Sequence, residues 1–258
     1  MGSPPLLGRT IGVTRAEGQL GEARRLFEAE GASVVDLPAL EVVPPDDWGP
    51  LDDALQDLEN FHWIVFSSAN GVRAVQQRLQ RLGAQLAHRP ACLRIAAVGR
   101  KTARILNELG APADFIPPEF VADSLIEHFP VSGWGLRLLL PRVQSGGRTV
   151  LAAAFSAAGS RVVEVAAYET RCPAGLPSAA LQALERNDLD ALTFSSAKTV
   201  SHMGRMLENS FGARWRERLN ARRLISIGPQ TSSRCLELLG RVDGEAEPHE
   251  LTGLGEAG

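Results

Sequence analysis

The chain of 258 residues carries 27 basic and 30 acidic side chains, a net charge of −3, and is 44% hydrophobic and 22% charged. That balance excludes a disordered chain and a nucleic-acid binder working through bulk positive charge. No apolar run reaches the roughly 18–20 residues of a membrane span. The N-terminal MGSPPLLGRT lacks the features of a signal peptide, so a soluble, cytoplasmic protein with no membrane partner is the expectation. Cys92, Cys172 and Cys235 stand far apart, outside any metal-ligand spacing, and read as reduced structural thiols.

In chain order, short apolar runs each end on small, hydroxyl or basic residues and pass into a helical pattern. Thr10–Val13 leads to Thr14-Arg15 and a helix carrying Leu20, Ala23, Leu26 and Phe27. Trp63–Phe66 leads to Ser67-Ser68, and Ile95–Val98 to Gly99-Arg100-Lys101-Thr102. The run 136–140 ends on Pro141-Arg142, Ala191–Phe194 on Ser195-Ser196, and Leu224–Ile227 on Gly228-Pro229-Gln230-Thr231. Apolar strands alternating with helices spaced i, i+3, i+4 predict βα units around parallel sheets, an α/β fold. Gly31, Gly83, Gly110, Gly159 and Gly240 fall where those helices should stop, and are expected as left-handed C-terminal caps.

The chain also repeats itself. FSSANGV at 66–72 answers FSSAKTV at 194–200, and AVGRKTA at 97–103 answers SIGPQTS at 226–232. VTRA at 13–16 with FEAEGASV at 27–34 answers LPRV at 140–143 with FSAAGSRV at 155–162. Offsets of 127 to 129 residues, near one spacing, predict two similar α/β halves. The Pro-rich stretch 35–50 and the strand-like 161–177 align at the same offset, Leu40 with Tyr168, and read as paired crossings. The expected division is 1–37 plus 172–258 as one discontinuous domain, 44–164 as the other, and 38–43 and 165–171 as crossings.

Ligands of parallel α/β sheets bind at the carboxyl ends of strands. The residues expected there are Thr14, Arg15, Ser67, Ser68, Asn70, Thr102, Arg142, Ser195, Ser196 and Thr231. Hydroxyls and helix-start amides suit anions; the same Ser and Thr residues also suit plain helix capping. Arg137, Arg142, Arg148, Arg161 and Arg171 face only Glu164 and Glu169 between 137 and 171, a local surplus of guanidinium that fits carboxylates or phosphates. Dinucleotide, P-loop, hydrolase-elbow and zincin motifs are absent.

In order and spacing, VTRA, FSSANGV, AVGRKTA with LNELG, LPRVQSGGR, VAAYETR, FSSAKTV and IGPQTS resemble the uroporphyrinogen-III synthase family over nearly the whole chain. The resemblance implies two flavodoxin-like parallel-sheet domains joined by a two-stranded β ladder, a cleft between them, and no metal or organic cofactor. It also implies a substrate, the linear tetrapyrrole hydroxymethylbilane, cyclised with inversion of ring D through a spiro intermediate and loss of water. By the matching AAYET segment the resemblance makes Tyr168 the proton donor. By motif it makes Ser68, Asn70, Gly71, Val72, Thr102, Ser196, Ala197 and Thr231 substrate contacts, joined by Arg223 before the last strand. Asn70 stands where some relatives have Arg. A monomer with transient contact to hydroxymethylbilane synthase is the expected assembly. A non-catalytic tetrapyrrole-binding regulator with the same fold is the alternative.

Overall fold

A computed structural model describes residues 4–247 apart from 132, 134 and 148. In chain order its elements are β1 (Thr10–Val13), α1 (Leu20–Ala29), β2 (Ser33–Asp36), β3 (Glu41–Val43), α2 (Gly49–Gln56), β4 (Trp63–Phe66), α3 (Ala69–Arg81), β5 (Arg94–Ala97), α4 (Arg100–Glu108) and α5 (Ala122–Glu127). They continue as β6 (Arg137–Val143), α6 (Val150–Ala157), β7 (Arg161–Arg171), α7 (Ser178–Arg186), β8 (Ala191–Phe194), α8 (Ala197–Phe211), β9 (Arg223–Ser226), α9 (Pro229–Leu239) and β10 (Gly244–Glu245). The chain forms two compact units, Met1–Glu41 with Arg171–Gly258, and Val42–Thr170.

The first unit holds a sheet in the order β10-β9-β8-β1-β2, with β1 parallel to β2 and β8, and β9 parallel to β8 and β10. Counted along the chain within the unit, this is the 2-1-3-4-5 order of flavodoxin-type sheets. Successive residues point to opposite faces, and each face is covered. Ile11, Val13, Ala191 and Ile225 pack with Leu20, Ala23 and Phe27 of α1. Leu192, Phe194 and Leu224 pack on the other face with Ala180, Met203, Leu207 and Cys235 from α7, α8 and α9. Burial pushes the Cys235 thiol up to about 12, which leaves it protonated and inert.

The second unit has the order β3-β7-β6-β4-β5. Here β4, β5, β6 and β7 take places one to four of the same pattern, while β3, first in the chain, takes the outermost place beside β7. The two crossing strands are thus neighbours at one edge of this sheet. Ile64, Phe66, Ile95, Ala97, Leu139, Val165 and Ala167 face α2 and α3; Trp63, Val65, Ala96, Leu138 and Leu140 face α5 and α6. Strand β6 runs three residues further than its apolar run suggests, so Arg142, expected just past the strand, is its penultimate residue. The ladder to β4 covers Leu138 and Leu139 while the ladder to β7 continues to Val143, and Pro141 sits in that one-sided extension, where a missing N–H is tolerated.

The five glycines expected as caps all have positive φ, between 70 and 91°. A Cβ in that region costs about 1–2 kcal/mol, which is why glycine marks these helix ends. Asn187 takes the same conformation at the end of α7.

Candidate active site

Along β7 the side chains alternate up to a defined break. Val163, Val165 and Ala167 belong to the α2–α3 face, and Val162 to the opposite one. Continued alternation would send Tyr168 to the α5–α6 face with Val162 and Glu164. Instead the pairing with β6 slips: Arg142 lies opposite Ala166 and Val143 opposite Tyr168, with a register shift between them. One extra residue in β7 turns Tyr168 onto the α2–α3 face, where it joins the buried cluster at 9% exposure. Bulges re-aim side chains in this way. The backbone after the bulge is held from the next loop. Gln144 N–H donates to the Tyr168 carbonyl at 2.7 Å, and the Gln144 amide is itself pinned on Asp46, accepting from its N–H at 2.7 Å and donating to Oδ2 at 2.6 Å.

Re-aimed, the Tyr168 hydroxyl lies 3.0 Å from Ser68 Oγ, either group able to donate. Ser68 is the N-cap of α3 and accepts from the Gly71 N–H at 3.1 Å. Space at Gly71 is tight on one side: a Cβ would stand 3.3 Å from the Pro141 carbonyl oxygen, and in ordinary contact with Ser68 Oγ at 3.5 Å. Burial pushes the Tyr168 phenol above its usual 10.0, while the Ser68 hydrogen bond and the Arg142 charge pull the other way. The phenol is therefore neutral at pH 7 and available as a donor. Asn70 is half-buried and Val72 fully buried in the same helix start, and Ser67 is exposed.

Arg142 points to the opposite face. Its guanidinium pairs with Glu164 and donates to the Gly146 carbonyl at 2.8 Å. It lines a cavity of about 440 Å³ with Gln144, Gly146, Gly147, Thr149 and Glu164. Gly146 and Gly147 both have positive φ, 73 and 84°. Arg148 lies outside the described residues. Thr102 is buried in the first turn of α4, whose N-cap Gly99 makes no side-chain bond to the helix.

In the first unit the same end of the sheet carries Thr14, Arg15, Ser195, Ser196 and Ala197. The Thr14 hydroxyl donates to the Thr193 carbonyl at 2.7 Å, and the Thr193 hydroxyl to the Gly12 carbonyl at 3.1 Å, stitching β1 to β8. Arg15 donates to Gln19 Oε1 at 3.2 Å, while its Nε and Nη1 are buried without an acceptor, and burial lowers its pKa. Ser196 caps α8 in a closed box with Thr199, each side chain accepting from the other's backbone N–H at 3.2 Å. Thr231 is buried in the first turn of α9. Arg223 is not brought to this end. It is the first residue of β9, exposed and opposite Ala191, at the amino edge of the sheet, one strand length from Thr231. Sequence reasoning passed over Gln144 and Asp46, since an exposed amide and a turn aspartate carry no local signal of what they hold.

One parallel sheet of flavodoxin order and a second, mostly parallel one that follows that order in four of its places, with hydroxyls and helix-start amides where such sheets take their ligands, define the class: a two-unit α/β protein with donor-rich strand ends. The profile of the uroporphyrinogen-III synthase HemD family matches residues 21–256. The uroporphyrinogen-III synthase of Synechococcus elongatus is 46% identical over 254 residues, covering 98% of this chain and 96% of the relative. Structures of a mutant Thermus thermophilus uroporphyrinogen III synthase (TM-score 0.58, 22% identity, 96% of each chain) and of the Helicobacter pylori uroporphyrinogen-III synthetase (TM-score 0.59, 16% identity, 96% of this chain and 97% of that one) share the fold. This chain belongs to the uroporphyrinogen-III synthase family. Among the described residues no helix is long and apolar enough to cross a membrane.

Proposed function

We propose that the chain cyclises hydroxymethylbilane to uroporphyrinogen III, releasing water as a hydro-lyase, and that Tyr168 is its proton donor. The observation that carries this reading is the hydroxyl pair Tyr168–Ser68, aimed by a bulge and fed by the Gly71 N–H. In the working direction three donors form a chain. Gly71 N–H donates to Ser68 Oγ, Ser68 O–H to Tyr168 Oη, and Tyr168 O–H to the leaving hydroxymethyl oxygen. Each bond polarises the next, and the positive end of α3 stands behind them. That chain opposes the burial that raises the phenol's pKa, and burial remains the larger effect.

The chemistry then balances as follows. The pyrrole nitrogen lone pair expels the hydroxyl, which leaves as water with the phenol's proton. The resulting azafulvene is attacked by the substituted α-carbon of ring D, the spiro intermediate opens at the neighbouring bridge, and the free α-carbon of the reversed ring closes the macrocycle. The proton lost from that carbon restores the phenol. General acid catalysis of this kind contributes about 10²–10⁴-fold; holding the chain bent for spiro closure supplies the rest. In this reading Arg142 with the glycine loop, the first turns of α3 and α4, and Arg15, Ser195, Ser196, Ala197 and Thr231 are donors to the substrate's eight carboxylates. Tyr168–Ser68 favours an enzyme over a non-catalytic regulator, because binding alone has no need of a polarised, buried phenol.

The test is a coupled assay in which porphobilinogen and its deaminase generate hydroxymethylbilane in place, followed by oxidation and separation of the porphyrin isomers. Predominant type III with the protein and type I without it is the expected result. Type I alone from folded protein would reject the reading.

A further inference from the structure

Outside the Tyr168–Ser68 pair, the second unit displays an apolar segment that its own core does not use. Ile116, Phe120 and Val121 are exposed at 41, 38 and 47%. Isolated exposed apolar residues need no explanation; a cluster of them in one short segment calls for one.

The segment is held at both ends. Phe115 forms a parallel bridge with Ala96 of β5, and the Ala97 N–H donates to the Phe115 carbonyl at 3.0 Å. Asp114 accepts from the Ile95 N–H at 2.7 Å and pairs with Arg89 at 3.1 Å. At the far end the Glu119 N–H donates to Ser124 Oγ at 3.3 Å, and Val121 is the N-cap residue of α5. Pro117 and Pro118 fix the backbone φ between these anchors. Because Phe115 runs parallel to β5, the residues after it leave the sheet at its carboxyl end, the end that carries Ser68 and Thr102.

A cation stands on this rim. The Arg100 guanidinium lies 4.2 Å from the centre of the Phe120 ring. Arg100 is exposed and pairs with no carboxylate among the described residues. Its position in the first turn of α4 sets it against the helix dipole, so the helix does not explain its presence. A guanidinium over an aromatic ring has N–H groups left to take a carboxylate, while the apolar segment offers a surface to a flat ring.

We propose that Phe120 and Arg100, with Ile116 and Val121, form a rim that holds one carboxylate-bearing pyrrole ring of the linear tetrapyrrole. The inference rests on the synthase reading, whose substrate is a chain of such rings. Held by prolines and anchored at both ends, the rim binds without an ordering cost. It acts on substrate capture rather than on the proton transfer at Tyr168.

The experiment pairs the isomer assay with equilibrium binding of uroporphyrin III, followed by porphyrin fluorescence, for Phe120→Ala, Phe120→Leu, Arg100→Gln and Arg100→Lys. Phe120→Ala and Arg100→Gln are each expected to weaken uroporphyrin binding about tenfold and to raise KM more than they lower kcat. Phe120→Leu and Arg100→Lys should recover part of the loss, and the double variant Phe120→Ala/Arg100→Gln should lose less than the product of the two, because both contacts serve one ring. All these side chains are exposed, and unaltered thermal midpoints would establish that the variants fold. Wild-type affinity and KM in both disruptive variants, with the unaltered protein producing type III isomer, would overturn the rim and leave the synthase reading standing. Failure of the unaltered protein to produce type III would instead remove the reading on which the rim rests.

Discussion

The two units start a helix on the same four residues, Phe-Ser-Ser-Ala at 66–69 and at 194–197, and use it differently. In the first unit Ser196 and Thr199 close a reciprocal capping box, each side-chain oxygen accepting from the other residue's N–H. In the second the third helical residue is Gly71, which has no side chain to close the box. Ser68 still caps α3, but its hydroxyl also meets Tyr168, for which the first unit has only Leu40 at the corresponding place. One segment thus has two uses: in one copy two side chains close the helix start, while in the other a missing side chain and a bulge leave a hydroxyl shared between a helix cap and a phenol.

Removing the phenol should break the asymmetry most severely. Tyr168→Phe is expected to lower type III formation about 100-fold, the low end of what a general acid contributes, with the thermal midpoint little changed; rapid quenching of the coupled reaction measures it. Because the Tyr168 pKa is raised, the wild-type rate should not decline from phenol ionisation until the pH exceeds 10.0. Next in size is Gly71→Thr, which copies the first unit's box into the second. The new Cβ presses on the Pro141 carbonyl, and the new hydroxyl competes for the helix start, so turnover should fall about tenfold, on the scale of one displaced neutral hydrogen bond. The converse change, Thr199→Gly, opens the box on the structural side. It should cost about 1–2 kcal/mol in urea unfolding, from the lost reciprocal bond to the Ser196 N–H, the lost buried side chain and the added glycine, and cost less turnover than Gly71→Thr.

The smallest effect concerns His202 of the first unit, whose Nδ1 lies 2.7 Å from the Ala39 carbonyl. Burial, more than nearby Lys198 and Arg205, holds its pKa below the usual 6.5. The unfolded chain therefore takes up a proton at a pH where the folded chain does not, and stability present above 6.5 is lost as the pH falls toward the folded pKa. Urea midpoints between pH 7 and 5 should fall more steeply for the wild type than for His202→Gln.

Much of this was legible in residue patterns. The apolar runs located the strands because buried parallel strands need continuous apolar residues, and Gly31, Gly83, Gly110, Gly159 and Gly240 located helix ends because only glycine takes positive φ without strain. The repeat announced two halves. What the patterns hid depends on pairing between distant strands. The slip between Arg142 and Val143 leaves no trace in the period-two alternation of β7, so Tyr168 reads as pointing the wrong way. The pairing of Arg142 with Glu164, 22 residues on, and the amino-edge position of Arg223 likewise follow from sheet register. The difference between Gly71 and Thr199 was in plain view within FSSANGV and FSSAKTV, but matching the two segments draws the eye to the identities, and here the mismatch carries the distinction.

The most direct measurement compares Ser68→Ala with Ser196→Ala in the coupled assay at matched folded fractions. Both serines cap a helix, so both variants should lose about 1 kcal/mol of stability. The shared-hydroxyl account predicts that Ser68→Ala lowers kcat for type III formation about tenfold more than Ser196→Ala does, as loss of a polarising hydrogen bond to the acid requires. Equal losses of kcat in the two variants would contradict it, reducing Ser68 to a helix cap and leaving Tyr168 without its partner.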